Sequence, residues 1–311
     1  MSTAPLPIIL DCDPGHDDAI AIVVAARHTE VLGITTVSGN APLSATTRNA
    51  IIMRDLLGMS APVHAGAEVP LVRPARHAAY VHGKSGMDGA DLPEPSGPPA
   101  SRDAVGFIID TCRAQEGVWL VPTGPLTNIA LALRSAPDLA ARIAGISLMG
   151  GGTFGNSTAA AEFNILCDPE AADIVFSYGG PLIMAGLDLT HQFQAVPARV
   201  EMVRALPGHL AVVLADLLDF FSGTYRSRHH GIGGAAVHDP CAVMALTHPH
   251  LFQRKFAHVE VEIHGTRTAG MTVIDQRALR EVPEPNCDWL TGIDADAGWQ
   301  VIVDAITHFS H

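Results

Sequence analysis

The run Asp11-Cys12-Asp13-Pro14-Gly15-His16-Asp17-Asp18 constrains this chain more than any other segment. It closes a short apolar stretch at residues 7–12 and opens a helical pattern at 17–26, so it reads as the turn where a buried strand gives way to a helix. In open parallel sheets, ligands bind at the carboxyl ends of the strands, and this turn falls on that edge. Four carboxylates so close together repel one another, and each costs on the order of several kcal/mol to bury unpaired, so a cation is expected among them. Oxygen donors suit a hard ion such as Ca2+ or Mg2+. Zn2+ would favour His and Cys, and only Cys12 and His16 are at hand. A plainer role is also open, in which Asp17 and Asp18 only cap the following helix. An EF-hand is excluded, because the ladder lacks the Gly and the Glu that such a loop needs.

Short β-rich runs at 7–12, 31–38, 118–122, 143–149 and 181–185 alternate with helical patterns at 17–26, 43–57, 104–114, 126–134 and 169–177. That alternation predicts an α/β fold with one open, mostly parallel sheet and helices on both faces. Beyond residue 185 the pattern turns helical at 206–222 and 238–246, with two strands near 259–263 and 271–275 and a closing helix at 294–309. Residues 61–99, rich in Pro, Gly, Ala and His, read as a long surface loop. No repeat or break in composition divides the chain, so residues 1–311, 48% hydrophobic, are expected to form a single domain.

Charge narrows the partners. Nineteen Lys and Arg stand against 32 Asp and Glu, and a formal charge of -13 argues against nucleic acid or an anionic membrane. Five dispersed cysteines without a CxxC pair suit a reducing compartment. The N-terminus shows no secretory signal, and no apolar stretch approaches the roughly 20 residues that span a bilayer, so a cytoplasmic location is expected.

The run ILDCDPGHDDAIAI resembles the fingerprint of the inosine-uridine-preferring nucleoside hydrolase family, and further blocks in the family order extend the likeness along nearly the whole chain. They are VSGN at 37–40, VHGKSGMDG at 81–89, TGPLTNIA at 123–130, MGG at 149–151, EFNILCDPEAA at 162–172, GLDLTH at 186–191 and HDPC at 238–241. The resemblance implies a Rossmann-like core that hydrolyses the N-glycosidic bond of a ribonucleoside, in a homotetramer or homodimer. It implies a Ca2+ ion held by Asp13, Asp18, Asp239 and the backbone carbonyl of Thr123, with Asp13 also acting as general base. It places Asp17 on the ribose 2'-hydroxyl, Asn40 beside the diol, and Asn156, Glu162 and Asn164 on the remaining hydroxyls, with Met149 and Phe163 as further substrate contacts. The chemistry is coherent, since a Lewis acid eases deprotonation of water and carboxylates favour the positive charge that builds on the ribosyl ring.

A departing base needs protonation or a polar relay. The resemblance offers His238 in that role, and His82 on a loop expected to be flexible over the base. Tyr225 and His229 fall where the family has a helix that closes on the base, but relatives preferring inosine and uridine carry Arg four residues after the Tyr, where this chain has His229. The VHGKSGMDG and AGLDLTHQ blocks resemble the bacterial pyrimidine-preferring members most and no Trp belongs to a block assigned to the base, so uridine and cytidine are favoured, with inosine also a candidate. Two other functions fit parts of the pattern. One is a Mg2+-dependent phosphatase whose nucleophile is the first Asp of the Asp-x-Asp turn, although Pro14-Gly15 stands where such enzymes carry Thr or Val. The other is a nucleoside-binding protein without turnover.

Overall fold

In the computed structural model, which describes residues 5–228, 233–279 and 281–310, the first apolar run forms β1 (Leu6–Cys12) and the acidic turn leads into α1 (His16–His28). There follow β2 (Thr29–Thr36), α2 (Leu43–Leu56), β3 (Val63–Ala65), α3 (Ala79–His82), α4 (Ala104–Ala114), β4 (Trp119–Pro122), α5 (Thr127–Ser135) and β5 (Gly145–Met149). The next stretch holds α6 (Phe163–Cys167), α7 (Pro169–Phe176), β6 (Leu182–Ala185), α8 (Leu187–Thr190), β7 (Gln194–Ala195), α9 (Pro197–Arg204) and α10 (His209–Arg228). The last holds β8 (Ala235–Ala236), α11 (Pro240–Thr247), β9 (Phe252–Ala257), β10 (Val259–Val261), β11 (Thr272–Ile274), β12 (Cys287–Ile293) and α12 (Ala295–Phe309).

Eight strands make one sheet in the order β3-β2-β1-β4-β5-β6-β12-β9, parallel throughout except for the antiparallel edge strand β9. This is the α/β sheet that the alternation predicts. Helix α1 is apolar nearly all round after its first turn and is buried from His16 to Ala25. Such a helix needs cover on every side, and it lies between the sheet and α2, α10, α11 and α12. Helices α4, α5 and α7 cover the opposite face with a second apolar cluster.

From β1 the sheet grows outward through β2 and β3 on one side and through β4, β5 and β6 on the other. The order therefore reverses between β1 and β4, and a crevice opens beyond their carboxyl ends. Asp11 pairs with Pro122 across those strands, so the acidic turn and Thr123 leave the sheet side by side.

Two expectations need correction, and two strands were not anticipated at all. Strands β9 and β12 belong to the main sheet, yet neither stands out as an apolar run. As the edge strand, β9 leaves Gln253, Arg254, Lys255 and Phe256 exposed, and β12 interrupts its buried positions with the part-exposed Asp288 and Thr291. Residues 61–99 are not one surface loop, because they contain β3 and α3, and Met87 is buried in the core. The helix expected at 206–222 begins later and runs further, as α10. Among the described residues no helix is long and apolar enough to cross a membrane, and all five cysteines are buried and free.

Candidate active site

The turn after β1 sends its carboxylates in different directions. Asp11 faces β2 and α5, where its Oδ1 accepts from Thr35 Oγ1 at 2.6 Å and Asn128 Nδ2 at 2.7 Å. It does not line the crevice, and burial raises its carboxyl to about 7. A phosphatase of the aspartyl type would need this residue as an open nucleophile, so that chemistry is not built here.

Asp13 turns the other way. Its Oδ2 accepts the Asn40 backbone N–H at 2.6 Å, while Oδ1 is buried without a partner among the described residues. The carboxylate fits because the two loops that flank it both present glycine. A Cβ at Gly124 would stand 2.5 Å from Oδ1, and one at Gly39 would collide with Oδ2.

Asp18 serves the helix and the crevice together. Its Oδ2 accepts the Gly15 N–H at 2.9 Å, which is the capping role open from the sequence, and its Oδ1 accepts from Thr123 Oγ1 at 2.8 Å. Asp17 accepts the His238 N–H at 3.1 Å, which ties the first helix to the segment before α11. That segment brings in Asp239, so carboxylate oxygens of Asp17, Asp18 and Asp239 all lie within 4.8 Å of one another.

Burial first, and then the charge of their neighbours, pushes Asp13, Asp17 and Asp239 well above the usual carboxylate range; burial also raises Asp18. Four buried acids with no basic side chain bonded to them among the described residues need a cation to remain ionised together. The donor set fits a hard divalent ion, because every donor is an oxygen and one, Asp13 Oδ1, has no other partner. The closest triad contains Asp17 in place of Asp13.

The opposite wall comes from the segment after β5. Glu162 caps α6 by accepting from Asn164 N at 2.9 Å and Ile165 N at 3.1 Å, and it also takes Gly151 N at 3.1 Å. Asn164 Nδ2 donates to the Thr123 carbonyl at 2.8 Å and to the Met149 carbonyl at 3.2 Å, fixing the carbonyl proposed as a metal ligand. Asn156 Oδ1 accepts from Phe163 N at 3.0 Å.

The cavity between these walls measures about 750 Å³ with its open mouth included, which is in the size range of small-molecule sites. Asp17, Asn40, His82, Thr123, Met149, Asn156, Glu162, Phe163, Asn164, Tyr225, His238 and Asp239 all line it. Asp13 and Asp18 lie beneath its floor, and His229 is outside the described residues.

Next to the acid cluster, His238 Nε2 is 2.7 Å from Tyr225 Oη and Nδ1 is 2.7 Å from Thr190 Oγ1. His82 is buried on α3 rather than carried on a loose loop, and its Nδ1 is 3.0 Å from His16 Nδ1. Burial holds the His82 imidazole well below its ordinary value. None of Trp119, Trp289 and Trp299 reaches the cavity. Thr190 and Tyr80, which sequence reasoning passed over, do belong to this region. Thr190 sits inside the GLDLTH block, and Tyr80 directly precedes VHGKSGMDG.

A sequence profile described as inosine-uridine preferring nucleoside hydrolase matches residues 8–300. The chain is similar to the pyrimidine-specific ribonucleoside hydrolase RihA of Shewanella sp. (strain MR-7), at 46% identity over 309 residues covering 98% of this chain and 97% of the relative. RihA of Enterobacter sp. (strain 638) is 44% identical over 310 residues, covering 98% and 99%. Among solved structures, the purine-preferring ribonucleoside hydrolase from Gardnerella vaginalis matches with a TM-score of 0.91 at 33% identity, covering 98% of this chain and 99% of that one.

Proposed function

The chain belongs to the inosine-uridine-preferring nucleoside hydrolase family, and on that premise we propose that it hydrolyses pyrimidine ribonucleosides, uridine and cytidine foremost and inosine as well, to ribose and free base. The observation that carries this reading is one cavity whose lining joins members of a buried acid cage, the polar side chains Asn40, Asn156, Glu162 and Asn164, and the imidazole–phenol pair of His238 and Tyr225. The pyrimidine preference draws on the relatives at 44–46% identity and on the absence of any Trp from the cavity lining.

Asp13, Asp18, Asp239 and the Thr123 carbonyl would hold Ca2+. When bound, the ion supplies Lewis acidity that eases deprotonation of water and a fixed charge for the ribose diol. Asp13 takes the proton from the attacking water as general base. Asp17 and Asn40 orient the 2'- and 3'-hydroxyls, and Asn156, Glu162 and Asn164 hold the rest of the sugar. As the glycosidic bond breaks, positive charge grows on the ribosyl ring, and the buried carboxylates Asp17 and Glu162 stabilise it more than they do the ground state. The bonding pair leaves with the base, which meets His238, supported by Tyr225 and Thr190, and His82; His229, outside the described residues, is assigned to the base by the family resemblance alone. Met149 and Phe163 supply apolar contact.

We take residues 1–311 as one catalytic domain of a cytoplasmic homo-oligomer, a tetramer or a dimer, whose state light scattering would establish. The activity is tested by incubating the protein and calcium with uridine, cytidine, inosine and 2'-deoxyuridine and assaying reducing sugar. Ribose should appear from the ribonucleosides, uridine and cytidine fastest, and the deoxy analogue should remain intact. No sugar from any ribonucleoside would refute the activity, and equal rates for uridine and its deoxy analogue would refute the assignment of Asp17.

A further inference from the structure

Three residues of α10, spaced four and then three apart and so on one helix face, line the cavity: Phe221, Tyr225 and Arg228. Phe221 and Tyr225 are buried, whereas Arg228, in the next turn, is exposed. The stripe therefore runs from the interior to the mouth. Among the described residues Arg228 is the only Lys or Arg in a lining that also holds the acids Asp17, Glu162 and Asp239.

Facing it stands Tyr80 on α3. This ring is half exposed and also lines the cavity, and Arg228 Cζ lies 4.3 Å from its centroid, within reach of a cation–π contact. Short as it is, α3 is pinned on both sides of Tyr80. Ala78 N–H donates to the Asn40 carbonyl at 3.0 Å, Val81 packs against the cluster of Phe221 and Tyr225, and the His82 ring stacks on Phe221 at 5.2 Å between centroids. Tyr80 thus offers a fixed face on which a long, flexible arginine can rest.

The imidazoles nearby leave a task open. His16 Nε2 donates to the Asp88 carbonyl at 2.8 Å, so its Nδ1 accepts from His82 Nδ1 at 3.0 Å. Burial holds both rings below their ordinary values, and a neutral His82 with its proton on Nδ1 keeps only a lone pair on Nε2. It has no proton to hand to a departing base. Each ring nitrogen of His238 is already 2.7 Å from a hydroxyl, that of Tyr225 or of Thr190. A fixed positive charge gives up no proton to favour a leaving anion, and a guanidinium stays charged across the working range of pH.

We propose that Arg228 is a further catalytic residue: resting on Tyr80 at the cavity mouth, its guanidinium donates to the carbonyl edge of the pyrimidine and stabilises the negative charge that the base gains as it leaves. Tyr80 is its positioning residue. The inference rests on the reading of this cavity as a nucleoside site. The bond between C1' and N1 breaks, and its electron pair goes with N1 and spreads onto the ring carbonyls. Water adds to C1' and gives its proton to Asp13. Arg228 neither gains nor loses a proton, and the released base takes one from solvent.

The test compares uridine, 5-fluorouridine, whose base is the stabler anion, and 4-nitrophenyl β-D-ribofuranoside, whose nitrophenolate departs without help. Donors aimed at a developing negative charge are worth roughly 10²–10³-fold in enclosed sites, and solvent weakens that at an exposed side chain. Arg228→Met keeps the length and deletes charge and donors, so kcat on uridine should fall at least about tenfold, with KM changing less than about threefold. The pH dependence of kcat should keep its shape. The loss should shrink for 5-fluorouridine and stay below about twofold for the nitrophenyl riboside. Arg228→Lys, which retains the charge, should recover part of the rate. Tyr80→Ala should give the same order of substrates with a smaller loss, which provides a second reading should Arg228→Met fold poorly. Tyr80→Phe, which restores the ring face, should recover most of that loss, and Tyr80→Ala should cost nothing further in the Arg228→Met background.

Equal losses on all three substrates would mean that Arg228 only covers the mouth, and that result overturns the inference. So would a rise in KM with kcat unchanged, an undiminished uridine rate, or a pH profile that changes shape. Absence of ribose release by the unsubstituted enzyme would overturn the activity reading and this inference with it, which separates that failure from one confined to Arg228.

Discussion

Replacing Gly124 with alanine tests whether the reaction depends on where Asp13 is held. Gly124 does not adopt a positive φ, so the backbone tolerates alanine and the perturbation is steric. The new methyl would stand 2.5 Å from Asp13 Oδ1, 2.8 Å from its Cγ and 3.1 Å from Val37 Cγ1. Ordinary contact begins near 3.4 Å, so the oxygen has to retreat by about 0.9 Å. Retreat is opposed on the other side, where Oδ2 is bonded to Asn40 N at 2.6 Å and Gly39 packs against the same carboxylate. A misplacement of about 1 Å costs on the order of 10²-fold in rate, or about 2.7 kcal/mol of transition-state stabilisation. Overpacking should cost about 1–3 kcal/mol of stability, a few degrees in Tm for a chain of this length. Steady-state ribose release from uridine, with thermal unfolding in saturating calcium, measures both. A folded Gly124→Ala enzyme that turns over within about threefold of the parent would refute the reasoning, because it would show that Asp13 acts wherever it lies.

Asp13→Asn should fold and keep most of its ribose affinity but lose about a thousandfold or more in kcat, and near-normal turnover would remove Asp13 as the base. Thr190→Val deletes the hydroxyl 2.7 Å from His238 Nδ1 and should slow uridine cleavage about tenfold, with Thr190→Ser close to the parent; equal rates for both variants would dismiss the contact. The buried acids also fix a pH dependence for the chelated protein. Burial raises Asp11 to about 7 and Asp17 to about 8, far above the 3.8 of an ordinary aspartate. In that window the folded state binds more protons than the unfolded state, so stability falls as pH rises from about 4 to about 8. Scanning fluorimetry in a chelator should show Tm dropping between pH 5 and pH 8, and calcium should restore more at pH 8 than at pH 5. A Tm that rises over the same range would contradict the burial argument.

Much of this architecture was readable from residue order. Near-continuous apolar runs such as Ile8, Ile9 and Leu10 mark strands covered on both faces, and the position of the acidic turn after the first of them puts it at the sheet edge. What stayed hidden has a physical cause in each case. Strand β9 is an edge, with four exposed residues in a row, so periodicity had nothing to register. His82 looked mobile because its neighbours are Gly and Ala. Its ring meets His16, and Asn49 holds the carbonyl of Ser85 three residues on; both are distant in sequence and arrive only in the folded chain. The site residues drawn from the family resemblance gather in or beneath one cavity, apart from His229, which lies outside the described residues. Thr190 escaped notice because a threonine in an apolar segment carries no signal of its own until the histidine it bonds is placed beside it.

The most direct measurement is calcium content and ribose release on the same sample, before chelation, after it, and after calcium is returned. The account predicts about one tightly held ion per chain, turnover of uridine that disappears with the ion, and recovery on its return. Unchanged ribose release from the metal-stripped protein, or a fully loaded protein that releases none, would contradict it.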